Sequence, residues 1–100
     1  MAVYSISSIE VKDWDMYEKY MKLVPDVIHN HGGKYLVRGG EVIADSTNWH
    51  PKRVVILEFP DIESLNKFRD SDDYKPVADL RHKAAITESF VVIGYEDTNS

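Results

Sequence analysis

Arg38 and Glu58 are the side chains with the most chemistry to offer. Each sits inside an apolar run: Tyr35-Leu36-Val37-Arg38-Gly39-Gly40-Glu41 and Arg53-Val54-Val55-Ile56-Leu57-Glu58-Phe59. Charges are rarely buried without a partner. If Ile43 pairs with Arg53 in a long-looped antiparallel hairpin, Arg38 falls opposite Glu58, and opposed residues share a sheet face. A slip of one residue would separate them. As a catalytic pair, Arg38 would hold an anionic or enolate oxygen while Glu58 moved a proton. The competing reading is a structural ion pair that orients the hairpin or crosses an interface between subunits.

Four further residues are candidates for contact with a substrate. Gly39, with Gly40, interrupts a strand and marks either a bulge that re-aims Glu41 or a close approach to a ligand. Trp49, beside His50 in the polar loop Ala44 to Lys52, is placed as a lid over a cavity or as a packing anchor. Tyr17 has core spacing on a helix, but its hydroxyl can reach a cavity mouth, as can those of Tyr20 and Tyr74. Arg81, on the last helix, is expected to pair with an acid such as Asp73 or Glu58, or else to bind substrate. The four histidines form no metal-binding spacing: His29 and His31 diverge on their helix, and His50 and His82 are remote. No nucleophile elbow and no dinucleotide fingerprint occurs, so neither covalent hydrolysis nor a nicotinamide cofactor is expected.

These residues must be positioned by the following elements. Ala2 to Val11 reads as a strand. Asp13 is a helix N-cap, and apolar residues from Trp14 to His31 recur at helical spacing, with Pro25 kinking the helix and Gly32-Gly33 ending it. The strands Lys34 to Ile43 and Arg53 to Phe59 follow. Asp61 caps a short helix, and Asp72 or Asp73 caps another that tolerates Pro76 in its first turn. Thr87 to Gly94 is a final strand. The order β-α-β-β-α-β, its second helix split in two, is the ferredoxin-like split βαβ: an α+β antiparallel sheet with helices on one face. Residues 1–95 form one domain, and 96–100 a polar tail.

Helices on one side cover one sheet face, yet Val54-Val55-Ile56-Leu57 and Phe90-Val91-Val92-Ile93 are apolar at both parities. The second face therefore needs a cover, and a homodimer stacked through its sheet faces supplies it.

A net charge of −5 without any Lys/Arg cluster argues against nucleic acid. No cysteine is present to bind metal or form disulfides. With no charged-then-apolar leader and no run of about 18 apolar residues, no membrane association is expected, and a cytoplasmic location is the default.

The segments GGKYLVRGGE, RVVILEFPD and SDDYKPVADLR resemble the small bacterial family of domain of unknown function 1330, across nearly the whole chain. That family belongs to the dimeric α/β-barrel superfamily, whose ferredoxin-like protomers face each other through their sheets. Its relatives include antibiotic-biosynthesis monooxygenases, muconolactone isomerase and haem-degrading enzymes. The resemblance implies the same homodimer, with cofactor-free oxygenation or isomerisation of a small organic molecule, bound between helices and sheet, as the type of chemistry. It assigns no catalytic residue. Where relatives read valine-glutamate-glycine at the end of the last strand, this chain has Ile93-Gly94-Tyr95-Glu96, so no role transfers to that glutamate. The alternative function is a non-catalytic ligand-sensing or interaction dimer in which Arg38 and Glu58 are structural.

Overall fold

The computed structural model describes residues 1–95, so Glu96 and the tail expected over 96–100 lie outside the described residues. The elements are β1 (Val3–Val11), α1 (Trp14–Asn30), β2 (Lys34–Arg38), β3 (Arg53–Phe59), α2 (Ile62–Asp70), α3 (Lys75–Ala84) and β4 (Ala85–Ile93). The sheet is antiparallel in the order β2-β3-β1-β4, the ferredoxin-like arrangement.

Local chemistry sets the helix starts. Asp13 accepts from the Met16 N–H at 3.1 Å and Asp61 from the Ser64 N–H at 2.7 Å, each satisfying one orphan amide of a first turn. Pro25 lies inside a single continuous helix. The cap expected of Asp72 or Asp73 is not made. Ser71 Oγ accepts from the Tyr74 N–H at 3.2 Å instead, while Asp73 turns to His31 at 3.3 Å and Asp72 to Lys75. No loop separates α3 from β4. The strand begins at Ala85, two residues before the expected start, and the Lys12 and Asp13 amides both donate to the Ala84 carbonyl at the join.

The hydrogen bond to Ser64 holds the Asp61 carboxyl below its ordinary value of 3.8. A depressed folded-state pKa contributes stability above the unfolded value, and that contribution is lost as pH falls through the folded value. Asp61→Asn, still a capping side chain, should therefore match the parent at pH 7 and lose less stability on acidification below about pH 4 in urea titrations. Asp61→Ala should be weaker already at pH 7.

The core lies between the sheet and the helices. Val3, Phe59, Val24, Ile28, Leu65, Phe68 and Val77 form its main cluster, and Ile9, Tyr17 and Ala84 a second beside it. The strand residues in both clusters share one parity: Val3 pairs with Phe59, Ser5 with Leu57, Ser7 with Val55 and Ile9 with Arg53. The other parity, including Ile6, Ile56 and Phe90, joins neither cluster. Among the described residues no helix is long and apolar enough to cross a membrane.

Candidate functional site

β2 is shorter than its sequence pattern and is paired differently. It stops at Arg38 rather than Ile43, and residues 39–52 contain neither helix nor strand. Lys34 pairs with Glu58 and Tyr35 with Leu57, but Val37 pairs with Ile56 and Arg38 with Val55. The bulge therefore falls at Leu36, not at Gly39-Gly40. Gly39 has a left-handed φ of 70°, which turns the chain out of the sheet after one last bond from its N–H to the Val54 carbonyl at 2.8 Å.

This register corrects the expected Arg38–Glu58 opposition. Arg38 shares the helix-facing side with Val55, whereas Glu58 pairs with Tyr4 and Lys34 on the opposite face. Glu58 meets the Lys34 ammonium there at 3.3 Å. Arg38 donates from Nη2 to the Met21 carbonyl at 2.6 Å and lies over the Tyr35 ring, 4.8 Å from its centroid. The two side chains cannot act on one substrate from opposite sides of a sheet.

On the helix side a cavity of about 930 Å³ separates the sheet from α1, α2 and α3. Its floor is Ser5, Ser7, Val55 and Leu57, and Tyr17, Tyr20, Val24 and Tyr74 stand on its helical walls. Tyr17 is 1 % exposed, with its ring packed against those of Trp14 and Tyr20. Burial raises the Tyr20 and Tyr35 hydroxyls above the ordinary tyrosine value, in Tyr35 against the opposing pull of Arg38. Both are therefore O–H groups at neutral pH, fit to donate to a ligand oxygen rather than to take a proton.

Of the sequence candidates, Tyr17, Arg38 and Arg81 line this cavity. Arg81 pairs with neither Asp73 nor Glu58. Its Nη2 stands 3.0 Å from Nε2 of His82. Trp49 is not on the lining; it stands 61 % exposed in the 39–52 segment, with its N–H on Thr47 Oγ1. Gly39 lies beside the site rather than in it. A Cβ there would fall inside the Arg53 guanidinium.

Arg53 is the cavity residue that the sequence candidates omit. It pairs with Ile9, its Nη2 reaches Met21 Sδ at 3.4 Å, and its guanidinium lies 5.7 Å from the Tyr17 ring centroid. A signal for it exists in the sequence: strand alternation puts Arg53 on the same side as Val55, Leu57 and Phe59.

Sheet order, helices on one face and a half-open cavity between the layers define a ferredoxin-like α+β fold built around a chamber. The chain belongs to the family described as domain of unknown function (DUF1330), whose model matches residues 2–95. No curated protein sequence matches it. Among solved structures it is similar to a protein of unknown function from Rhodopseudomonas palustris, at 14% identity over 96% of this chain and 84% of that one, with a TM-score of 0.75. A dimeric ferredoxin-like protein from Jannaschia sp. CCS1 is similar at 9% identity over 94% and 100%, with a TM-score of 0.72. SnoaB, a cofactor-independent oxygenase from Streptomyces nogalater, is similar at 8% identity over 99% and 98%, with a TM-score of 0.66. At these identities the likeness is one of fold.

Proposed function

We propose that this protein is a homodimer whose protomers each bind a small organic molecule in the chamber between helices and sheet. The observation that carries this reading is the chamber itself: it has the size of a small-molecule site, and its aromatic and aliphatic walls are interspersed with polar and charged side chains. Tyr17, Arg38, Arg53 and Arg81 are among its polar and aromatic contacts, and Gly39 positions Arg53. The likeness to SnoaB adds cofactor-free oxygenation to the reactions that a chamber on this fold supports, with isomerisation beside it. In either case a tyrosine hydroxyl would hold a substrate oxygen. Cover for the outer sheet face supports the dimer, and the dimeric relative from Jannaschia is in keeping with it.

A second reading, binding without turnover, is favoured by the contacts already made: Arg38 is tied to the Met21 carbonyl, and Glu58 to Lys34 outside the chamber.

The chamber is tested by plugging it. Ser7 lies at the centre of the floor on β1. Ser7→Phe should fold to a protein at least as heat-resistant as the parent, because it fills space with apolar atoms. It should bind phenol, followed by calorimetry, at least about tenfold more weakly. Undiminished phenol binding by a folded Ser7→Phe protein would place the ligand elsewhere.

A further inference from the structure

The arginines of the chamber lack counter-charges. Arg38, Arg53, Arg69 and Arg81 all line it, and among the described residues none is within ion-pair distance of a carboxylate. Glu18 borders a side pocket with Arg38 and Arg53, and Asp79 lies on the chamber rim, but neither pairs with an arginine. Nε of Arg53 and Nε of Arg81 are closed off from solvent and donate to nothing among the described residues. Two of the four arginines also converge, since Arg38 and Arg53 end on the same residue, one on the Met21 carbonyl and one on its thioether.

Arg38 is exposed, but Arg53 and Arg81 are half-buried, and leaving their closed-off Nε donors unused is unfavourable unless an anion completes the set. The geometry points to a binding seat for the carboxylate of a small, largely apolar acid, an aromatic acid in the first instance, with Arg53 as its centre. This deepens, and rests on, the chamber reading above. A guanidinium fork matches a carboxylate with two parallel hydrogen bonds. The wall made by Ile9, Tyr17, Val24 and Tyr74 suits a ring, with the charged residues Arg69, Lys75 and Asp79 elsewhere on the lining. A phosphate is less well served, because the backbone amide of Gly39, beside the Arg53 guanidinium, is already spent on Val54. Gly39 is the positioning residue: its missing side chain is the space in which the Arg53 guanidinium lies.

The test uses the full chain with benzoate, its neutral counterpart benzamide, and inorganic phosphate as probes, read by calorimetry and thermal shift. Benzoate should bind at least about tenfold more tightly than benzamide and raise the melting temperature. Arg53→Gln should bring the two affinities together, with Arg81→Gln as the second variant should the first fail to fold. Gly39→Ala should lower the benzoate-to-benzamide preference, a ratio that loss of stability alone leaves unmoved. Equal binding of benzoate and benzamide by the parent would overturn the anion seat and leave the chamber reading standing. Phosphate binding as tightly as benzoate would overturn the carboxylate assignment. A folded Arg53→Gln protein with full preference for benzoate would remove Arg53 from the seat. No binding of either aromatic probe at tens of millimolar would end both readings.

Discussion

Ile56→Asp should break the proposed dimer into monomers in sedimentation while leaving the helical circular dichroism intact. Ile56 lies on the outer face of the sheet, where Val37, Ile56, Ile6 and Phe90 stand side by side across all four strands. Phe90 is 53 % exposed and Val92 45 % exposed in the single chain, a degree of wetting unusual for large apolar side chains on a sheet. Two such faces stacked at about 10 Å would bury both rows. A carboxylate in the middle of the row must lose its water without gaining a partner, which costs at least about 3 kcal/mol, or roughly a hundredfold in dissociation constant. Ile56→Val, which trims one methylene, should remain dimeric. A parent protein that sediments as a monomer, or an Ile56→Asp variant that still sediments as a dimer, would exclude stacking through this face.

Phe59→Ala should be the most damaging truncation in the core, lowering stability by about 3–5 kcal/mol in denaturant titration. Phe59 is 0 % exposed and closes the end of β3 where α1 and α2 meet the sheet. Its ring packs on Phe68 with centroids 5.2 Å apart, and Phe68 in turn packs on Tyr74 at 4.2 Å, so one side chain ties β3 to both later helices. Gly33 marks how little room is left: a Cβ there would stand 2.7 Å from the Phe59 ring and 2.8 Å from Ile28. The hole left by alanine is bounded by rigid elements on three sides, so it collapses poorly. A loss below about 1.5 kcal/mol would mean that the aromatic chain is not the centre of the fold.

Much of this architecture is legible in the residues because it depends on local rules. Asp13 and Asp61 cap helices whichever fold they join, and the period of Tyr17, Val24 and Ile28 identifies a buried helical face wherever that helix lies. The double apolar parity of β3 and β4 likewise carries over directly, with Ile56 outside and Leu57 inside. What the sequence hides is register. Leu36 bears no mark of a bulge, whereas Gly39-Gly40 bears a strong one, and the loop between the two strands is too long to fix their pairing by turn geometry. That single displaced bulge sends Arg38 and Glu58 to opposite faces. Arg53 is obscured for a related reason. A charge at the start of a strand reads as a solvent-facing end, which outweighs the alternation that places Arg53 on the inner side, where it pairs with Ile9.

The seamless join between Ala84 and Ala85 has a mechanical consequence. Two amides from the β1–α1 turn clamp its carbonyl, and no linker lies there to absorb rotation. Arg81, one turn upstream, is in effect bolted to the sheet, so adjustment to a guest must come from its own torsions. Across the chamber, Gly39 opens a stretch with no regular hydrogen-bond ladder to stiffen it. For the binding proposed above, the chamber would work like a vice, with one fixed jaw and one that has slack, and accommodation of differently sized guests would fall to the Gly39 side.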